Sequence, residues 1–206
     1  KQKDTTPEEA AIAECNTGIL LIDGSRVAGL VNQLDNDNAQ GEYYLTDVLA
    51  MAVAEGMRVQ VVQSQQSYET EGVNNKLQLA ALERAHQAER AADYMRAGLT
   101  LMDPQRFDVR GSLSFGRDCV VDINVIVEGD VVLGDKVQVG ANTVLRNVQI
   151  ADNVVIREHC VLGDAVVGND SCIGPFSRLR PGAKLVGGAH IGNFVEIKKS
   201  TVGQGS

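Results

Sequence analysis

From Phe115 to Val202 an apolar residue recurs every six positions and, in three places, every five. The anchors are Phe115, Val121, Val127, Leu133, Val139 and Leu145, then Ile150, Ile156 and Leu162, then Val167, Ile173, Leu179, Leu185, Ile191, Ile197 and Val202. The short intervals fall at 145 to 150, 162 to 167 and 197 to 202. Most anchors precede Gly, Asp or another small or polar residue, and the fifth place of each unit is usually Val, Thr, Ser, Ala or Cys. Fifteen near-regular intervals are hard to produce by chance. A six-residue unit is one short strand plus a tight turn. Three units close one triangular coil of a parallel β-helix, with anchors inward and coils stacked at roughly 4.8 Å. From Phe115 onward there is room for about five coils.

Before Phe115 the pattern is mixed. Thr17 to Ile22 is a short buried-strand candidate, Ser25 to Leu34 has helical spacing, and Thr46 reads as the N-cap of a second helix that Gly56 ends. Arg58 to Gln63 alternates as a strand. A longer helix is predicted from about Asn75 to Arg96, with Leu77, Leu79, Ala80, Leu82, Ala85, Ala88, Ala92 and Met95 as its apolar side and Asn74 as its cap. Asp103-Pro104 breaks the chain after it. The expected organisation is therefore a mixed α/β part over 1–74, a linker helix and connection over 75–106, and β-helix coils over 107–206.

Composition adds limits. With 44% apolar residues, the chain is ordinary for a protein with a real core. It begins at Lys1 without a basic-then-apolar signal region, and its longest strongly apolar run, Gly18 to Ile22, is far short of a membrane span. It reads as a soluble, cytoplasmic segment internal to a longer protein. Cys15, Cys119, Cys160 and Cys172 show no metal-ligand spacing and read as reduced thiols standing in for small apolar side chains.

Charge is uneven. Residues 1–106 hold nine Lys/Arg against sixteen Asp/Glu, a net of −7, and 107–206 hold ten against eleven, a net of −1. From Ile173 onward, five basic residues face only Glu196. Such a patch is site-sized and too poor in aromatics for a nucleic-acid surface.

The coil register sorts this patch. Arg180 and Lys198 are 18 residues apart and each follows an anchor, so they should stack on one face. Two positive charges ~5 Å apart repel by about 0.8 kcal/mol in water and about 3 kcal/mol at an effective dielectric of 20, unless an anion shares them. A phosphate reverses that sign and takes a forked arginine bond. Arg178 and Glu196, also 18 apart, should stack as an opposite-charge pair; Lys184 and Lys199 read as surface charges. His190 reads as a turn histidine, and with His159 alone beside it in the repeat it is a poor start for a three-histidine metal site.

The strings ECNTGILLI, NDNAQGEYYLTDVLAMA, EGVNNKLQLAALER, DPQRFDVRGSLSFGRD, IGPFSRLRPGA and HIGNFVEIKK resemble, in order, the bacterial bifunctional N-acetylglucosamine-1-phosphate uridyltransferase/glucosamine-1-phosphate acetyltransferase family, over essentially all 206 residues. The resemblance implies a doubly wound α/β nucleotidyltransferase-like domain, a long linker helix and a left-handed parallel β-helix that forms a homotrimer. It implies acetylation of glucosamine 1-phosphate by acetyl-CoA, then transfer of UMP from UTP, with Mg²⁺, to N-acetylglucosamine 1-phosphate, for cell-wall synthesis. Residue by residue, Asn16, Tyr44 and Thr46 resemble sugar contacts of the uridyltransferase site. Asn74 resembles the residue that helps hold Mg²⁺ and the nucleotide-sugar phosphates; a carbonyl oxygen is a reasonable hard ligand. Arg180 and Lys198 match the acetyltransferase residues that bind the sugar phosphate, and Glu196 looks like the carboxylate supporting that site's catalytic histidine.

The family's glycine-rich UTP loop and metal-binding aspartate belong to sequence before Lys1, where Lys1 itself stands in place of a family glutamate. Its catalytic histidine and acetyl-CoA coils belong to sequence after Ser206. The expectation is that neither reaction runs on these residues alone. A different class of protein would share the hexad pattern: a sugar-nucleotide pyrophosphorylase-like protein whose β-helix is only structural or regulatory. The stacked Arg180/Lys198 pair is the feature that separates the two.

Overall fold

A computed structural model describes residues 6–12, 14 and 16–206; Lys1 and Cys15 lie outside the described residues. The chain divides into two compact units, Lys1–Val73 and Asn74–Ser206. No helix among the described residues is long and apolar enough to cross a membrane.

The first unit contains helices α1 (Pro7–Ala10), α2 (Gly24–Val31) and α3 (Val48–Ala54). Asp23 caps α2, its carboxylate accepting from the Ser25 N–H at 2.8 Å. Leu30, Val48 and Ala52 form a small core, with Leu20, Ile22, Leu34, Met51 and Met57 against it. Gly56, at φ 73°, ends α3 as expected: its N–H bonds Val53 O and the Met57 N–H bonds Ala52 O, which satisfies two terminal carbonyls. Thr46, however, is not the cap of α3. It lies inside a 3₁₀ turn over Leu45–Asp47, and Asp47 takes the cap position.

The two predicted strands of this unit do not form. Across 17–22 and 58–63 the backbone joins no ladder among the described residues, and Ile19, Leu21, Val61 and Val62 stay exposed. Alternation survives in part, since Leu20 and Ile22 turn to the core while Ile19 and Leu21 turn away. A strand exists only through a partner's backbone groups, and none is offered here.

The second unit is a parallel β-solenoid. One face is a six-stranded parallel sheet whose rungs carry Leu101, Val121, Val139, Ile156, Ile173 and Ile191 in register. A second face stacks Val109, Val127, Leu145, Leu162, Leu179 and Ile197; a third stacks Phe115, Leu133, Ile150, Val167, Leu185 and Val202. Every anchor counted along the sequence is therefore an inward rung, and the solenoid starts earlier than the countable repeat, at Thr100–Leu101. Leu145, Ile156, Leu162, Ile173 and Leu179 are at most 1% exposed. Positive φ recurs at the corners, mostly on Asn, Asp or Gly; the five-residue intervals turn at Asn147, Asp164 and Lys199. Coil spacing leaves no room for some side chains: a Cβ on Gly168 would sit 2.0 Å from Val186 O in the next coil.

The fifth-place residues also point inward. Cys119 and Cys160 are fully buried, each thiol donating to a carbonyl, Gly134 O and Gly174 O, at 3.0 Å, and burial pushes both thiols up from their ordinary pKa. His159 stacks on Phe176 at a corner, and His190 is the first residue of the strand His190–Ile191 rather than a turn residue.

Helix α4 (Lys76–Arg96) closes the open edge of the first coil, and it does so with polar groups. Its cap is Asn75, whose side chain accepts from the Gln78 N–H, while Gln78 Oε1 accepts from the Asn74 N–H. Leu77 and Leu79, predicted to face a core, are 81% and 56% exposed; Gln87 and Ala91 are buried instead. The Gln87 amide donates to Val109 O and accepts from Val109 N–H, both at 2.9 Å, copying one residue of a β-strand. Arg90 adds bonds to Val109 O and Gly111 O, and Tyr94 packs edge-on against Phe107 and Phe115. An unpaired sheet edge demands donors and acceptors, and that demand orients the helix more strongly than its leucines do.

Gln87→Leu leaves the Val109 N–H unpaired in a buried place and should lower unfolding free energy by about 1–3 kcal/mol, read from urea denaturation. Leu77→Gln, on the exposed stripe of the same helix, should change it by less than about 0.5 kcal/mol.

Candidate functional site

The basic cluster sits on the second solenoid face, where strands Arg178–Leu179 and Glu196–Ile197 pair in parallel with Arg178 opposite Glu196 and Leu179 opposite Ile197. The ladder runs on through the Arg180 N–H, which donates to Ile197 O at 2.8 Å, so Arg180 stands beside Lys198 in the next coil. Leu179 is buried and Ile197 packs against the core, which turns Arg178, Arg180, Glu196 and Lys198 outward together. Pro181 and then Gly182, at φ 82°, turn the chain directly after Arg180.

The ion pairing differs in one respect from simple stacking. Glu196 does face Arg178, with Oε2 3.9 Å from Nη1, but its shorter bond is diagonal: Arg180 Nη1 donates to Oε1 at 2.9 Å. Residues two apart on a strand share a face, so the diagonal partner was within reach of the sequence argument, which had paired Glu196 with Arg178 alone. The Arg180 hydrogen bond is the main cause holding the Glu196 carboxyl below its ordinary pKa, and the charges of Arg180, Arg178 and Lys198 act the same way. Among the described residues Lys198 makes no ion pair. One coil back, the place under Arg180 is Gly163, whose missing side chain opens a shallow groove between Arg180 and Arg146. Arg146 is committed elsewhere, its Nε donating to Glu128 at 2.6 Å.

The residues matched to the uridyltransferase site are held by local contacts. Asn16 Oδ1 accepts from the Gly18 N–H at 2.8 Å, and the half-buried Tyr44 donates its hydroxyl to Gln40 Oε1. Thr46 is exposed within its 3₁₀ turn. Asn74, in the second unit, is exposed, and because Asn75 fills the cap its own amide is not needed there. One neutral oxygen is not a Mg²⁺ site, and the described residues contain no cluster of three His, Cys, Asp or Glu that could hold a metal.

The comparisons bear on the whole chain. No protein-family model matches it. Bifunctional protein GlmU from Neisseria meningitidis serogroup C / serotype 2a is 53% identical over 206 residues, all of this chain and 45% of that protein. GlmU from Chromobacterium violaceum is 52% identical over the same shares. Along its whole length, this chain is similar to GlmU proteins, at 50–53% identity. It spans about half the length of these GlmU relatives. Among solved structures, the acetyltransferase domain of PglB from Neisseria gonorrhoeae is 20% identical with a TM-score of 0.41, covering 59% of this chain and 63% of that one. The same domain in complex with acetyl coenzyme A gives 19% and 0.39, covering 81% and 92%. Likeness at that level bears on neither ligand nor site.

Because the folded-state pKa of Glu196 is depressed, its pairing stabilises the fold above the ordinary carboxylate range and is lost only as pH falls through the lowered value. Carboxyl-carbon NMR should show Glu196 titrating below an ordinary glutamate, and Arg180→Gln should move its midpoint back up.

Proposed function

We propose that this chain is the junction of a GlmU-type enzyme that acetylates glucosamine 1-phosphate and then makes UDP-N-acetylglucosamine. In this reading residues 1–74 complete a nucleotidyltransferase domain, 75–106 form the linker helix and its connection, and the solenoid is the left-handed hexapeptide β-helix of an acetyltransferase that works as a homotrimer. What supports it most is the 53% identity to a bifunctional GlmU across all 206 residues.

Within that reading Arg180 and Lys198 hold the phosphate of glucosamine 1-phosphate. The stacked cations cannot relax far apart because their backbones are fixed by one ladder, and a phosphate between them converts repulsion into two charge-assisted bonds. Holding the phosphate orients the sugar amine for attack on the thioester carbonyl of acetyl-CoA; the C–N bond forms as the C–S bond breaks, and the amine proton passes through a histidine, expected from the resemblance outside these residues, to the departing CoA thiolate. Glu196 is the carboxylate that supports that histidine. On the uridyltransferase side, Asn16, Tyr44 and Thr46 contact the sugar of N-acetylglucosamine 1-phosphate, whose phosphate oxygen attacks the α-phosphorus of UTP and displaces pyrophosphate. Asn74 would offer its carbonyl oxygen to a bound Mg²⁺, which would neutralise phosphate charge, and its amide N–H to the phosphates, the remaining metal ligands coming from outside these residues.

The test uses a full-length enzyme carrying this segment. Arg180→Ala should raise the acetyltransferase KM for glucosamine 1-phosphate by about 10- to 100-fold, the effect of removing a charged hydrogen bond, and leave uridyl transfer unchanged. An unchanged acetyltransferase KM would overturn the phosphate assignment.

A further inference from the structure

The guanidinium of Arg180 is already paired with a carboxylate of the protein itself. Glu196 Oε1 accepts from Arg180 Nη1 at 2.9 Å, so a phosphate seeking the full fork of that guanidinium meets a carboxylate already on one prong. The carboxylate has a second cation within reach. Arg178 lies directly opposite Glu196 in the parallel ladder, with its Nη1 3.9 Å from Oε2, about 1 Å longer than the bond to Arg180. Neither side chain is packed in place: that of Arg178 is 60% exposed and that of Glu196 50%, against 34% for Arg180. The two arginines are two residues apart on one strand and outward on the same face, so a small rotation carries the carboxylate from one to the other without disturbing a buried group.

We propose that Glu196 is a placeholder on the phosphate clamp and that Arg178 is a positioning residue which takes the Glu196 carboxylate when an anionic ligand arrives on Arg180. The inference rests on reading Arg180 and Lys198 as the clamp. It gives Arg178, which stands beside the clamp without belonging to it, a function: it lowers the cost of vacating Arg180. Bound ligand and displaced carboxylate then each have a cation, whereas without Arg178 they compete for one. The displaced Glu196 is also held in a defined place rather than released to solvent.

Sulfate, which does not titrate near neutral pH, is the probe, and its affinity for this chain is read from NMR shifts of the Arg180 and Lys198 amides. Arg178→Gln should weaken sulfate binding by about two- to fivefold, the worth of an exposed ion pair, and Arg178→Lys should restore most of the loss. Glu196→Gln should tighten binding by a similar factor. In the Glu196→Gln background, Arg178→Gln should have no further effect, because no carboxylate remains to be moved. An equal loss from Arg178→Gln in both backgrounds would make Arg178 a direct or through-space contact and overturn the hand-over while leaving the clamp standing. If Arg180→Ala binds sulfate as well as the unaltered chain, the clamp itself fails, and the hand-over with it.

Discussion

Stacking of each coil on the last through parallel backbone hydrogen bonds, between residues 17 or 18 positions apart, is the constraint on which the remaining geometry depends. A coil has no stable conformation by itself, since its strands are short, many of them two residues long, and their donors and acceptors point along the stack. Inward rungs must be apolar because the interior is narrow, corners must accept positive φ, and the fifth place must be small. The outward positions are left unconstrained by folding, and chemistry can be placed there at fixed spacing. Arg180 and Lys198 occupy such positions, so their separation is set by the ladder rather than by their own flexible side chains.

The same dependence explains the helix. A stack has a first coil, and its edge strand carries unpaired groups that would pair with another chain. Gln87 answers with an amide that presents a donor and an acceptor as a peptide unit does, and Arg90 adds two donors. The consequence is a helix whose buried side mixes polar Gln87 with Ala91 and Tyr94, while Leu77 and Leu79 stay exposed.

What the sequence disclosed follows from how local each signal is. Hexad anchors, their three short intervals and the 18-residue offset of Arg178 from Glu196 are all set within one or two coils, and the structure places each of them as the spacing predicts. The helix over 76–96 was legible because its period is local too, although its cap is Asn75 and not Asn74. Its orientation was not, because that depends on the unpaired groups of Val109 and Gly111, which periodicity does not register. Thr17 to Ile22 and Arg58 to Gln63 have strand composition but no ladder partner among the described residues, and composition cannot report a partner. The Thr46 cap failed by a shift of one residue, the ordinary reach of a 3₁₀ first turn. At the site, the 18-residue rule found the column neighbour of Glu196 and missed its diagonal one, since it counts offsets along the stack and ignores the two-residue period across it.

That diagonal contact changes how the cluster should be understood. Four charges on a two-residue-wide strip cannot all be paired one to one: three are cationic and one is anionic. With one carboxylate among three cations, positive charge is in surplus on the strip: Glu196 is shared between Arg180 and Arg178, and Lys198 makes no ion pair among the described residues. Arg180 is the less exposed of the two arginines and holds the shorter bond to Glu196, so on the proposed reading an incoming phosphate there replaces a half-exposed carboxylate with a doubly charged, forked partner. The ladder that fixes the backbones leaves to the side chains which arginine the Glu196 carboxylate pairs with, and the proposed hand-over turns on that choice.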